Sequence, residues 1–147
     1  MQTSHIQKPI RIILVDDHQA IRESWKFLLE KDERFTVIAQ CEDGRDAIEK
    51  AQRLLPDVML MDINMSKVNG FEATQQIIDR SPSVKIIGLS VNIHPGYATK
   101  MLGLGAKGFV TKSSPFAELT TAILKVHEGE NYVCDEIRNN NSYRQAN

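Results

Sequence analysis

The stretch RIILVDDHQA, residues 11–20, holds the puzzle on which the fold turns. Four apolar residues, Ile12 to Val15, run directly into two adjacent carboxylates, Asp16 and Asp17, and then His18. Like charges side by side repel, so a strand that looks buried has no evident reason to end on them. An acidic pair after a strand is most often a helix cap favoured by the helix dipole. The other reading, a cation held between the two acids, needs support from elsewhere in the chain.

Working outward, short apolar runs alternate with helical patterns five times. The runs are IILV at 12–15, FTVIAQC at 35–41, DVMLM at 57–61, KIIGLS at 85–90 and GFVT at 108–111. Between the first two, Ile21, Trp25, Leu28 and Leu29 recur at i, i+4, i+7 and i+8, one face of a helix. Ala47, Ile48, Ala51, Leu54 and Leu55 form a second such face, and Phe71, Thr74, Ile77 and Ile78 a weaker third. A fourth helix is expected around Tyr97 to Leu104, weakened by Gly103. Ser114 and Pro115 read as the N-cap and first-turn proline of a last helix carrying Phe116, Leu119, Ile123 and Val126. Strand and helix in strict alternation predict an α/β fold, a five-stranded parallel sheet with helices on both faces. The unbroken apolar character of the first and third runs fits strands buried on both sides.

In such sheets ligands bind beyond the carboxyl ends of the strands. The first run ends in Asp16 and Asp17, the third in Asp62, the fourth in Ser90 and the fifth in Lys112. Three carboxylates, one hydroxyl and one ammonium therefore converge on one sheet edge. Carboxylates crowded this way need a counter-charge, which a hard divalent cation such as Mg2+ supplies while keeping room for phosphate oxygens. Lys112 suits a phosphate as a point charge, and Ser90 can donate to a phosphoryl oxygen. Together they make what phosphoryl transfer to a carboxylate requires: a nucleophile, a metal and cationic stabilisation.

VDDH at 15–18, MDINM at 61–65, LSV at 89–91 and FVTK at 109–112 stand in order on this fivefold pattern. With them the chain resembles a two-component response regulator receiver domain over about residues 9–130. DDHQAIRESWKFLL, the Lys-Ser at 112–113 and the EGENYV after the last helix resemble the NarL/FixJ type in particular. The resemblance implies a flavodoxin-like (βα)5 fold with strand order 2-1-3-4-5. It implies Asp62 as phosphoacceptor, with Mg2+ on Asp16, Asp17, Asp62 and the backbone carbonyl of Asn64. Lys112 would contact the phosphoryl group, Ser90 would be the switch hydroxyl, and Phe109 the switch aromatic, turning inward on phosphorylation. It also implies a regulator that catalyses only its own phosphorylation and dephosphorylation, rather than an enzyme acting on other substrates. The donor would be a phosphohistidine on a sensor histidine kinase or phosphotransfer protein. The response would be a phosphorylation-dependent homodimer formed through the fourth helix, fifth strand and fifth helix.

Two departures stand out: Ser66 and Lys67 replace the usual Pro-Gly after Met65, and Ser90 replaces the commoner Thr. A third concerns the peptide after Lys112, which is usually cis in receivers and followed by proline. Here Ser113 follows. A cis bond to a non-proline residue costs roughly 3 kcal/mol, yet the need to aim Lys112 at the acids gives a reason for it, and a cis Lys112–Ser113 bond is expected.

Other features carry less. His18 is read as an exposed first-turn residue of the first helix, Lys107 as solvated, and Cys41 as buried filler. GLGAKG at 103–108 matches GxGxxG formally but follows a helix and opens a strand, the reverse of a dinucleotide fingerprint. With 41% apolar and 25% charged residues and a net charge of -1, the 147-residue chain reads as a globular domain with no electrostatic case for binding nucleic acid itself. No window approaches the roughly 18 consecutive apolar residues of a membrane span. MQTSHIQKPI lacks a hydrophobic signal core, and the two cysteines form no metal or redox spacing and read as reduced thiols, so a cytoplasmic location is expected. Residues 1–8 are expected to be flexible, 9–130 to form the receiver domain, and 131–147 a polar tail or truncated linker. That tail is too short for the helix-turn-helix domain usual in the NarL/FixJ type, so transcriptional output is expected through a domain absent from this chain, or else a stand-alone receiver acting by protein contact. A small-molecule phosphohydrolase using the same aspartyl-phosphate chemistry is the enzyme-class alternative, disfavoured by Asn64 where those enzymes usually carry a second acid.

Overall fold

The structure, a computed structural model, describes residues 8–65, 67–140 and 143. Residues 1–7 of the expected flexible N-terminus, and Ser66, lie outside the described residues. The elements run β1 (Ile10–Val15), α1 (Gln19–Glu30), β2 (Phe35–Cys41), α2 (Gly44–Leu54), β3 (Val58–Asp62), α3 (Gly70–Arg80), β4 (Lys85–Ser90), α4 (Pro95–Gly103), β5 (Gly108–Thr111), α5 (Phe116–His127), β6 (Tyr132–Val133) and α6 (Asp135–Arg138).

All strand pairings are parallel, in the order β2-β1-β3-β4-β5-β6. β3, buried at every position, lies between β1 and β4, with Leu14 opposite Leu60 and Leu60 opposite Ile87. β2 lies at one edge and is only half-buried along most of its length. Ile12, Ile13, Met59, Ile86 and Ile87 are fully buried, each contributing about 1.5–3 kcal/mol of transfer free energy against the unfolded chain. The five longer helices lay apolar stripes on the sheet: Leu29 from α1, Ala47 and Ala51 from α2, Ala73 and Ile77 from α3, Met101 from α4, and Leu119, Ile123 and Val126 from α5.

Local chemistry starts the helices where the chain leaves the carboxyl edge of the sheet. Asp43 accepts from Asp46 N–H and Asn69 from Glu72 N–H, side-chain caps for α2 and α3. His94 Nδ1 accepts from Gly96 N–H at the start of α4. At the far edge, α2 stops on Leu55 in a left-handed conformation (φ 47°). The Arg11 guanidinium steadies that end by donating to the carbonyls of Leu54 and Leu55.

Two expectations about the C-terminal half change. The proline of the last helix sits one position earlier than expected: Pro115 is the N-cap residue, and the Ser114 hydroxyl bonds Thr111 Oγ1 at 2.7 Å instead of capping. The stretch after residue 130, read as a tail, instead adds β6 alongside β5 and the short helix α6, so the sheet has six strands. The polar composition of residues 138–147 hid three apolar anchors before it: Val133, Cys134 and Ile137 are buried.

Candidate acidic phosphoacceptor site

The carboxyl edge of the sheet brings together residues far apart in sequence. Asp16 follows β1 directly, its N–H donating to the Cys41 carbonyl at 3.1 Å, and it is only 5% exposed. Arg22, one turn into α1, donates to the Asp16 carbonyl at 2.6 Å and holds that backbone in place. Asp62, the last residue of β3, is 1% exposed. Its Oδ1 accepts from the Asn64 N–H at 2.9 Å, and the neighbouring Ile63 N–H donates to the Leu89 carbonyl, tying the turn after β3 to β4. Lys112, just past β5, donates its N–H to the Ser90 carbonyl at 2.8 Å. From there its ammonium lies 2.7 Å from Asp16 Oδ2 and 3.5 Å from Asp62 Oδ1.

Electrostatics follow from this geometry. Burial pushes the Asp62 carboxyl above its ordinary value; the Asn64 N–H and the Lys112 ammonium pull the other way, while Asp16 and Asp17 add to the rise. A buried acid that is hard to ionise is therefore held by one backbone donor and one cation. His18 completes the edge. It occupies the N-cap position of α1 without a side-chain capping bond, with a side chain 67% exposed, yet its Nδ1 lies 3.1 Å from Asp16 Oδ1 and 2.9 Å from Asp17 Oδ1. Asp16, Asp17 and His18 offer ligand atoms all within 4.8 Å of one another. The two carboxylates form an oxygen donor set of the kind a hard divalent cation takes, and the imidazole is a poorer match for Mg2+. The acidic pair and Asp62 thus fit Mg2+ by donor chemistry.

The expected cis bond is absent: the Lys112–Ser113 peptide is trans, as are the others among the described residues. Lys112 nevertheless contacts both acids, so the loop aims it without a cis bond. The physical reason is local. Ser113 has no ring to favour cis, and the Lys112 N–H bond to Ser90 already sets the direction of the chain.

Ser90 is fully buried one strand over, where Leu89 rather than Ser90 is the pairing partner of Asp62, and its hydroxyl accepts from the Asn92 N–H at 2.9 Å. Phe109 is also fully buried. Its ring lies over Gly88, where a Cβ would come within 3.0 Å of Phe109 Cδ1. Two glycines let neighbouring segments approach the loop after β3 closely: a Cβ at Gly70 would lie 2.5 Å from Ile63 Cα, and one at Gly44 would lie 2.8 Å from Val68 Cβ. The sequence reading missed the position of His18 across both acids. It also missed a carboxylate, Glu136, that accepts from the hydroxyls of Thr111 and Ser113 on either side of Lys112. No short spacing signals that contact, because 23 to 25 positions separate its partners.

A family model described as response regulator receiver domain matches residues 12–124. The transcriptional regulatory protein DegU of Brevibacillus brevis is 40% identical over 134 residues, 91% of this chain and 57% of that protein. The response regulator GacA of Pseudomonas viridiflava is 34% identical over 128 residues, 87% of this chain and 60% of that protein. The chain thus spans somewhat under two thirds of these curated relatives. Among solved structures, a LuxR-family two-component response regulator from Aurantimonas sp. SI85-9A1 superposes with a TM-score of 0.89 at 30% identity, covering 95% of this chain and 99% of the other. The signal receiver domain of the putative response regulator NarL from Mycobacterium tuberculosis does so with a TM-score of 0.80 at 27% identity, covering 84% and 100%. With the acids and lysine on the edge that the fold prescribes, this chain belongs to the response regulator receiver domain family, in its NarL/FixJ type.

Proposed function

We propose that the chain accepts a phosphoryl group on Asp62 from a phosphohistidine of a sensor histidine kinase or phosphotransfer protein, in a Mg2+-dependent reaction. The observation that carries this reading is the Lys112 ammonium standing between Asp16 and the buried Asp62. An Asp62 carboxylate oxygen forms the new bond to phosphorus as the bond to the donor imidazole nitrogen breaks. Lys112 and the Asn64 N–H offset part of the cost of burying the Asp62 carboxylate, the form that acts as nucleophile. Lys112 is also placed to take up charge on the phosphoryl oxygens. Asp16 and Asp17 would hold Mg2+, with Asp62 and the Asn64 carbonyl as further ligands; when bound, it would supply positive charge facing those oxygens.

Ser90 is the proposed switch hydroxyl, moving from its Asn92 bond toward the phosphoryl group, with Phe109 packed beside the same strand end. The proposed readout is a homodimer formed by the α4–β5–α5 surface, and transcription regulated through an output domain outside this chain. The relatives named as transcriptional and response regulators support that output. A cytoplasmic location accompanies it; among the described residues no helix is long and apolar enough to cross a membrane.

Intact-mass measurement after incubation with acetyl phosphate and Mg2+ tests the assignment. One phosphoryl adduct is expected on the wild type and none on Asp62→Asn. An adduct that persists on the variant refutes Asp62, and steady turnover of an aryl phosphate would favour the phosphohydrolase instead.

A further inference from the structure

The loop that carries Lys112 is fastened on both sides by one carboxylate from the C-terminal helix. Glu136 Oε1 accepts from Thr111 Oγ1 at 2.6 Å and from Ser113 Oγ at 2.7 Å. Ser114 Oγ lies 2.7 Å from Thr111 Oγ1. Each hydroxyl has one proton to give. With the Thr111 and Ser113 protons both committed to Glu136, Ser114 donates to Thr111, so two hydroxyls meet one anionic oxygen and the third supports one of them. Hydrogen bonds to an ionised acceptor are about twice as strong as neutral ones. In keeping with this, the two hydroxyls hold the Glu136 carboxyl below its ordinary value.

The residues so bound flank Lys112 directly, and Thr111 is only 1% exposed. The far side of the clasp is α6, which is anchored at its start, on its underside and by the Arg138 bond to the Val133 carbonyl. Ile137 is buried beneath it, and the Cys134 N–H donates to the Phe109 carbonyl just before it. Glu118 of α5 also accepts from the Asp135 N–H. A four-residue helix is too short to hold its shape alone, so its order depends on these contacts.

We propose that Glu136 is a positioning residue that couples the acid pocket to the C-terminal helix. By clamping Thr111 and Ser113 it holds, together with the Lys112 N–H bond to the Ser90 carbonyl, the turn that aims the Lys112 ammonium at Asp16 and Asp62. An anion bound at Asp62 fixes the same lysine from the other end. Two constraints on one turn reinforce each other, because each reduces the freedom the other must remove. Reciprocity then requires that filling the pocket tighten α6 by the factor by which the clasp tightens the pocket. The segment leaving the domain thereby senses whether Asp62 carries a phosphoryl group. The proposal rests on Asp62 as the acceptor.

The test uses beryllofluoride with Mg2+ as the phosphoryl mimic, on the full chain. Its affinity is followed by Trp25 fluorescence, and backbone amide exchange is followed in residues 135–140. The wild type should bind it, and exchange in α6 should slow by about fivefold, the lower range of typical coupling. Glu136→Ala should bind it about fivefold more weakly, with α6 exchange fast and indifferent to the mimic. Glu136→Gln keeps an acceptor oxygen and should recover part of both effects. Ser113→Ala removes one of the two bonds from the other side and should weaken both readouts, which keeps the test open should Glu136→Ala fail to fold. If the wild type binds the mimic and Asp62→Asn does not, yet α6 exchange is unchanged, the coupling is wrong. Equal affinity for wild type, Glu136→Ala and Ser113→Ala would reduce the clasp to local stability. Failure of the wild type to bind through Asp62 strikes at the phosphoacceptor reading instead.

Discussion

The ammonium of Lys112 sits 2.7 Å from the Asp16 carboxylate, although 96 positions separate the two residues in the chain. Asp62 lies farther from the same nitrogen, at 3.5 Å. The lysine therefore belongs first to the acid proposed for the metal and second to the proposed nucleophile. Its side chain is 13% exposed and that of Asp16 only 7%, so solvent screens the pair weakly.

Lys112→Met should leave two poorly solvated carboxylates without their cation and lower stability at neutral pH by about 2–3 kcal/mol. The same change should raise Mg2+ affinity, because Lys112 no longer competes for Asp16. Urea unfolding and calorimetric Mg2+ titration measure both; weaker Mg2+ binding in the variant would show that the lysine supports the metal instead of opposing it.

Replacing Asp16 and Asp17 together by Asn should abolish Mg2+ binding while the domain stays folded. Neutral amide oxygens can still accept from the His18 N–H and from Lys112, and the repulsion between neighbouring acids disappears. Retained Mg2+ affinity, measured beside an unchanged circular dichroism spectrum, would remove the acid pair from the metal site.

Stability without metal should depend on pH through Asp62. Burial raises its folded-state value above the ordinary 3.8. Between those two values the folded chain keeps a proton that the unfolded chain has lost, so stability falls as pH rises through that window. Asp62→Asn removes this dependence. The melting temperature of the variant should exceed that of wild type by a margin that grows from acid to neutral pH. A constant margin would mean that Asp62 titrates alike in both states.

Gly70→Ala and Gly103→Ala should differ sharply although both glycines are helical. At Gly70 the new methyl would meet Ile63 Cα at 2.5 Å, so the acceptor turn must shift; a loss of about 2 kcal/mol and slower phosphorylation of Asp62 are expected. At Gly103 nothing lies within 4 Å, and removing a flexible residue from α4 should stabilise by about 0.5 kcal/mol. Thermal unfolding and phosphorylation rates of the two variants check the contrast, and equal effects would contradict it.

What could be read from the chain alone was whatever repeats along it or ends an apolar run. Five of the strands, the five main helices and the gathering of Asp16, Asp17, Asp62, Ser90 and Lys112 on one edge follow from hydrophobic periodicity and parallel topology, which act over short stretches. Tertiary structure alone decided which partners those side chains take. Lys112 meets Asp16 more closely than Asp62, His18 turns toward both acids, and the Lys112–Ser113 bond stays trans because the Ser90 carbonyl already directs the loop. β6 and α6 escaped notice for the same reason: Tyr132 and Val133 form a strand by pairing with Gly108 and Phe109, and Glu136 finds Thr111 and Ser113 across the fold. A two-residue strand and a four-residue helix are too short to carry a period of their own, so contacts distant in sequence determine them.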